Sequence, residues 1–150
     1  MNEFRVTIRK MTEDDAVFVA GIENKVFSQP WPEAEFAKAS KADNYIYLVA
    51  EHEGRIIGYA GCVIAADDAD ITNIAVDCNF RNYGIGAQLL KQLIIQAGNR
   101  SVVNIFLEVR KSNAAAIGLY TGIGFERVGL RRNFYQKPTE DAILMAKKLQ

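Results

Sequence analysis

The chain has 150 residues, and its 18 lysine and arginine residues balance its 18 aspartate and glutamate residues. Hydrophobic residues make up 49% and charged residues 24%, which is typical of one globular domain at residues 1–150. The balanced charge argues against broad nucleic-acid binding, and the sequence contains no apolar run typical of a membrane span or a secretion signal. Cys62 and Cys78 are too few for a disulfide framework or a metal cluster. We therefore expect two reduced, partly buried thiols in a cytoplasmic protein.

The first half of the chain predicts a strand, two helices and a hairpin. The predicted elements are a strand at 4–9, a helix at 16–26 after an N-cap at Thr12, a helix from Pro32 to about Ser40, and strands at 45–51 and 55–64. Trp31 falls between the helices, where it could plug the edge of the core or form a wall of a substrate groove. His52 is expected to be a solvated turn residue, which sets aside Ser-His-Asp and Cys-His mechanisms. Residues 65–70 are expected to form an acidic loop.

Residues 71–90 are the segment around which we expect the fold to be organised. An apolar strand at 71–76 leads through a turn containing Gly84 and Gly86 into a helix that extends to about residue 97. A strong strand follows at 102–109, so the segment predicts a βαβ unit with parallel strands and a right-handed crossover. The glycines and the helix N-terminus suit a phosphate. Neither the third glycine of a dinucleotide fingerprint nor the G-K-[ST] of a P-loop is present.

A carboxylate stands at the end of the 102–109 strand, close to the predicted phosphate turn. Alternation along this strand places Glu108 on the face opposite to Val109, and its side chain is either in an ion pair, for example with Arg110, or part of a site. Asn113 is expected to cap a helix at 114–121, and Tyr120 on that helix is either a core residue or a site residue. Closing strands are predicted at 125–133 and 142–149, paired antiparallel.

Several motifs together resemble a known family. R-N-Y-G-I-G, from Arg81 to Gly86, matches the R/Q-x-x-G-x-G/A signature of the GCN5-related N-acetyltransferases (GNAT). L-E-V-R-K-S-N-A-A-A-I-G-L-Y at 107–120, P-W at 30–31 and R-R-N-F-Y-Q-K-P-T-E-D-A-I-L-M at 131–145 are similar to the RimI-type ribosomal-protein alanine N-acetyltransferases. The resemblance covers essentially the whole chain. It implies an α/β (α+β) GNAT fold, in which a central mixed β-sheet of about seven strands is flanked by four helices.

The resemblance also implies acetyl-CoA as co-substrate, no metal, and a set of cofactor-binding residues. Those expected to bind the pantetheine arm, the pyrophosphate and the reacting end are Ile74, Ala75, Val76, Asn82, Tyr83, Gly84, Ile85, Gly86, Ala87 and Asn113. Glu108 matches the general base and Tyr120 the general acid of a direct acetyl transfer. Cys78 stands where the family usually has proline.

The implied acceptor is a protein N-terminal amine, most specifically the N-terminal alanine of a small-subunit ribosomal protein. Trp31, Phe134 and Tyr135 fall where the RimI branch shapes its peptide groove, and Phe134 stands where that branch often has tyrosine. We expect a monomer without direct nucleic-acid or membrane partners. Two alternatives stay open at this point: a GNAT enzyme acting on a small-molecule amine or a lysine side chain, and a module that binds acetyl-CoA without turnover.

Overall fold

A computed structural model describes residues 4–149, which form a single mixed sheet with helices on both faces. The strands in this range are β1 (Thr7–Lys10), β2 (Tyr45–His52), β3 (Arg55–Ala65), β4 (Asp68–Val76), β5 (Asn104–Arg110), β6 (Glu126–Tyr135) and β7 (Glu140–Lys148). The α-helices are α1 (Ala16–Val26), α2 (Glu33–Lys41), α3 (Ile85–Asn99) and α4 (Ala114–Ile123). Short 3-10 turns lie at Glu13–Asp15 and Cys78–Phe80. No helix in this range is long and apolar enough to cross a membrane.

The sheet has the strand order β1-β2-β3-β4-β5-β7-β6, and only the β4–β5 pair is parallel. The predicted βαβ unit is therefore confirmed, with α3 as its crossover. The parallel ladder extends only from Asp68↔Asn104 to Asp70↔Phe106. Opposite Gly61 and Cys62, β4 carries one extra residue, a β-bulge that bends the strand. Beyond the bulge β4 and β5 diverge, and the sheet opens at their carboxyl ends.

Each face of the sheet carries its own apolar cluster. The α3 and α4 side contains an apolar stripe of α3, in which Leu89, Leu90 and Leu93 are fully buried. The opposite side, under α1 and α2, centres on Phe36 and Tyr59. Burial of one leucine side chain contributes about 1.5–3 kcal/mol, so these layers hold the helices against the sheet. The gap between the diverging ends of β4 and β5 therefore lies between two well-packed apolar clusters, one on each face of the sheet.

The acidic stretch at residues 65–70 corrects one expectation, because only its middle is a turn. Ala66 and Asp67 form the turn, whereas Asp68 begins β4 and pairs with both β3 and β5. Ala69 is 1% exposed between two more exposed aspartates. This period-two pattern is that of a strand, and the clustered acidic side chains concealed it.

Two single residues also differ from expectation. The ring of His52 stacks on Phe4, with 4.1 Å between centroids, and its Nδ1 lies 2.7 Å from the Arg5 carbonyl oxygen. His52 is therefore a partly buried packing residue at the end of β2 rather than a solvated turn residue. Cys62 is buried and free, as expected, whereas Cys78 is free but exposed.

Some predicted element ends shift by a few residues. β1 begins at Thr7 rather than at residue 4, and Pro32 is the N-cap of α2 rather than its first helical residue. α4 continues through Gly122 and ends at Gly124, whose φ of 110° lies in the left-handed region. The two closing strands pair antiparallel as predicted, with β7 inserted between β5 and β6.

Candidate active site

A cavity of about 890 Å³ opens where β4 and β5 diverge. Its walls come from the ends of both strands, the N-terminus of α3, the first turns of α4 and the loop after α1. The predicted site residues that line it are Trp31, Ile74, Ala75, Val76, Asn82, Gly84, Ile85, Gly86, Ala87, Glu108, Asn113, Tyr120 and Tyr135. Tyr83 and Phe134 lie outside this lining. The fold thus gathers side chains from widely separated parts of the chain at one cleft.

The turn between β4 and α3 is fixed by Asp77, a buried residue that the sequence motifs did not single out. The Asp77 carboxylate accepts a hydrogen bond from the Asn79 N–H at 3.0 Å and lies 3.5 Å from the Arg55 guanidinium. Its own N–H donates to the Ile57 carbonyl at 2.8 Å, which extends the β3 contact. The chain therefore leaves β4 in a defined direction before it enters the glycine-containing turn.

The turn presents the N-terminus of α3 to the cleft. Asn82 and Gly84 have φ values of 69° and 77°, and Gly84 is the N-cap of the helix. A side chain at Gly84 would meet nothing within 4 Å, so its backbone conformation, rather than space, favours glycine. Within residues 4–149 no side chain caps α3 at this end. Its first N–H groups and the positive end of the helix dipole are therefore available to an anion.

Glu108 lies on β5, on the face away from the α3 and α4 core. Its side chain is 24% exposed, and its Oε1 lies 3.4 Å from the Nε of Arg131. Partial burial raises the pKa of Glu108, the Arg131 guanidinium opposes this shift, and the Asp70 carboxylate adds to it. The expected partner Arg110 instead pairs with Glu140 at 3.2 Å. Glu108 is thus a carboxylate whose proton affinity is raised above that of an ordinary glutamate.

The first turns of α4 bring Asn113 and Tyr120 to the same cavity. Asn113 caps the helix, as predicted, because its Oδ1 accepts a hydrogen bond from the Ala116 N–H at 3.1 Å. The ring of Tyr120 is 6% exposed and meets Phe125 edge-on, with 5.9 Å between centroids. Burial raises the pKa of Tyr120, so its hydroxyl keeps its proton at neutral pH.

Trp31 lines the cavity from the loop after α1, and Tyr135 lines it from the end of β6. Trp31 packs 5.4 Å from the Phe36 ring, at the edge of the core, and also borders the cavity. Its role as a wall of a substrate groove stays a prediction. The Arg110 guanidinium lies 4.6 Å from the centroid of Tyr135, and burial raises the pKa of that phenol to about 12. These two aromatic rings give the groove apolar walls beside a carboxylate.

The two predicted site residues outside the cavity lining are both well exposed. Phe134 is 47% exposed and meets Tyr135 edge-on, with 5.0 Å between centroids. Tyr83 is 55% exposed and stacks on Phe4 at 4.3 Å. The described residues contain no group of three or more His, Cys, Asp or Glu side chains placed to hold a metal ion.

The site combines an uncapped helix N-terminus after a strand, a split parallel pair, and a carboxylate and a phenol at one cleft. The acetyltransferase (GNAT) family model matches residues 16–125, and the chain belongs to this family of acyltransferase enzymes.

Individual relatives extend the likeness to nearly the whole chain. The chain is 38% identical over 144 residues to the ribosomal protein bS18-alanine N-acetyltransferase of Escherichia coli strain K12, with 93% of this chain and 95% of that protein covered. It is 36% identical over 146 residues to the N-alpha-acetyltransferase RimI of Mycobacterium tuberculosis, with 93% and 90% covered. The crystal structure of the Escherichia coli ribosomal-protein-S18-alanine N-acetyltransferase matches with a TM-score of 0.89 at 35% identity, covering 97% of this chain and 95% of that one. The predicted family and fold are confirmed, and the chain is an N-acetyltransferase of the RimI type.

Proposed function

We propose that this enzyme transfers the acetyl group of acetyl-CoA to the N-terminal amine of a protein, with the N-terminal alanine of ribosomal protein bS18 as its substrate. The observation that carries the proposal is that Glu108 and Tyr120 line the same cavity as the turn at Arg81 to Gly86. The relative from Escherichia coli, named for acetylation of bS18 alanine, matches this chain over 144 residues.

The cleft suits two parts of acetyl-CoA, the pyrophosphate and the pantetheine arm. The uncapped N-terminus of α3 suits the pyrophosphate, for the electrostatic reasons given above. At Gly86 the position of a Cβ would be 3.5 Å from Leu119 and 3.9 Å from Val76, so glycine leaves the backbone of the first turn of α3 uncovered by a side chain of its own. The edge of β4 at Ile74 to Val76 has no β5 partner, and its backbone groups can bind the amides of the pantetheine arm. When bound, acetyl-CoA supplies an acetyl group activated as a thioester.

The protein side chains would then handle two protons. A peptide α-amine has a pKa of about 7.7–8.0, so much of it is protonated at neutral pH and cannot attack. Glu108 takes this proton, directly or through a water molecule, and its raised pKa makes it a better base than an exposed glutamate. Tyr120 donates its phenolic proton to the departing thiolate as the C–S bond breaks, and the second proton that the nitrogen loses on becoming an amide restores the phenol. A backbone N–H near Val76 can stabilise the oxyanion that forms as the amine attacks the thioester carbonyl. The amine and the thioester react directly in one ternary complex, without an acyl-enzyme.

The acceptor peptide would enter from the α1 side, between Trp31 and Tyr135. Both rings line the cavity on the side of the sheet that carries Glu108. The exposed ring of Phe134 next to Tyr135 offers a further apolar contact for residues after the N-terminal alanine. Aromatic side chains bury large areas at a low cost in side-chain entropy, which suits recognition of a short, flexible segment.

The test is thiol release from acetyl-CoA in the presence of a short peptide that begins with alanine. Glu108→Gln should lose about 10²–10⁴-fold in kcat while the Kd for acetyl-CoA stays unchanged. Tyr120→Phe should also lower kcat. Glu126→Gln is the matched control, because it removes an exposed carboxylate from β6.

Each alternative has its own outcome in this assay. Full activity of Glu108→Gln would remove the general-base role. Release with small amines but with no N-terminal peptide would reassign the acceptor. Tight acetyl-CoA binding without release to any amine would identify a binding module instead of the proposed transferase.

A further inference from the structure

Glu23, near the end of α1, is a buried carboxylate that the proposed chemistry does not use. It is 2% exposed, although it borders the cavity. The other two carboxylates that are buried among residues 4–149 lie against arginines, Asp15 against Arg9 and Asp77 against Arg55. Within residues 4–149 Glu23 has no cationic partner. Burial of a carboxylate is costly unless other hydrogen bonds replace those it made to water. Hydrogen-bond donors around Glu23 must therefore provide these bonds.

Three donors from three parts of the chain meet at this carboxylate. The Trp31 N–H donates to Oε2 at 2.9 Å, and the Asn73 Nδ2 lies 3.0 and 3.2 Å from the two oxygens. The Tyr59 hydroxyl donates to Oε1. Because β3 carries Tyr59 and β4 carries Asn73, Glu23 links the loop after α1 to the middle of the sheet.

The hydrogen bond from the Trp31 N–H to Glu23 is the only one that the backbone of the P-W-P segment can donate. Pro30 and Pro32 have no N–H, so Trp31 provides the only backbone donor of the three residues. The ring of Trp31 packs against the rings of Phe36 and Tyr47, with 5.4 and 6.2 Å between centroids. Glu23 therefore fixes the backbone of the residue whose ring borders the cavity.

We propose that Glu23 is a positioning residue that holds Trp31 as the wall of the acceptor groove and thereby sets the affinity for the peptide. This inference rests on the proposed function only in taking a peptide as the acceptor. Glu23 acts through Trp31. Its bond to Asn73 reaches β4, but Glu23 makes no hydrogen bond to the turn and helix N-terminus at Asn82 to Ala87, which are proposed to bind the pyrophosphate.

The variant that tests this is Glu23→Gln. An amide has one acceptor oxygen and an NH₂ group, so it cannot accept from Trp31, Asn73 and Tyr59 together. Because the hydrogen bond from the Trp31 N–H to the Glu23 carboxylate is weakened or lost, we expect the KM for the peptide to rise about tenfold or more. The kcat should stay within about threefold, and the Kd for acetyl-CoA should not change.

Tyr59→Phe is the matched control, because it removes a different hydrogen bond from the same carboxylate. It should lower stability while leaving the peptide KM near that of the unmodified protein. Equal increases of KM in both variants, or an increase in neither, would overturn the positioning role. A drop in kcat alone would overturn it as well.

Two further measurements are independent of catalysis. Trp31 is the only tryptophan, so its fluorescence reports this loop directly. In Glu23→Gln the emission should move to longer wavelength and become easier to quench by iodide, and in Tyr59→Phe it should not. In the unmodified protein the Trp31 amide should be protected from hydrogen exchange, and fast exchange would overturn the proposal even if Glu23→Gln does not fold. If no peptide is acetylated but these signals appear, the link to Trp31 holds and the proposed function fails.

Discussion

Arg131 controls the proposed base through one ion pair, so its removal should shift the pH dependence of the reaction. Its Nε lies 3.4 Å from the Glu108 carboxylate, and the two side chains are 54% and 24% exposed. In water, charges at that distance interact by about 1.2 kcal/mol. Exposed pairs contribute only about 0.2–1 kcal/mol, because solvent and salt screen them. Arg131→Gln should therefore raise the pKa of Glu108, and 0.2–1 kcal/mol corresponds to a loss of about 1.4–5-fold in kcat/KM on the acid limb.

The direction of the effect on activity follows from the protonation state that Glu108 needs. A general base works deprotonated, so a higher pKa moves the acid limb of kcat/KM to higher pH by the same amount. The assay is kcat/KM for an alanine peptide across the acid limb. The peptide amine titrates identically with every variant, and added salt should reduce the difference. Arg132→Gln, which removes the neighbouring exposed charge, is the control. An unmoved limb, a move to lower pH, or an equal move in the control would refute the reasoning.

Two pairs of glycines give further predictions. Gly84 and Gly54 both have φ of 77° and open space where a Cβ would stand, so alanine at either should cost about 1–2 kcal/mol in stability. Only Gly84→Ala should also weaken acetyl-CoA binding, by about 5–30-fold in calorimetry, and equal Kd values in both variants would contradict the role of the turn. Gly118→Ala, inside α4 with nothing within 4 Å, should raise Tm by about 2–4 °C. Gly124→Ala should lower Tm, because its φ of 110° is strained for alanine. A change in Tm of the same sign in Gly118→Ala and Gly124→Ala would contradict this account.

The parts of the fold that depend on neighbouring residues could be predicted from the sequence. The βαβ unit and its turn lie within one continuous stretch, where apolar periodicity and glycine positions determine the elements. The alternation along β5 was enough to place Glu108 on the face away from the core. The cap at Asn113 depends on a helix that starts at the next residue, and it too was predicted.

What could not be predicted depends on pairs that are distant in the sequence. Glu23 meets Asn73 across 50 positions, and nothing local in α1 distinguishes it from an exposed helical glutamate. Arg131 on β6 reaches Glu108 on β5 across the intervening strand β7, and no local pattern encodes this strand order. In the sequence Asp77 resembles an ordinary turn aspartate, and only the contact with Arg55 on β3 shows that it is buried and paired.

The central claim is acetyl transfer from acetyl-CoA to an N-terminal amine through Glu108. The most direct measurement uses a peptide that has an N-terminal alanine and an internal lysine, incubated with the enzyme and acetyl-CoA. Tandem mass spectrometry then locates the acetyl group. The account predicts acetylation of the alanine α-amine, and its near-complete loss with Glu108→Gln. Acetylation of the lysine alone, or of neither amine, would contradict it.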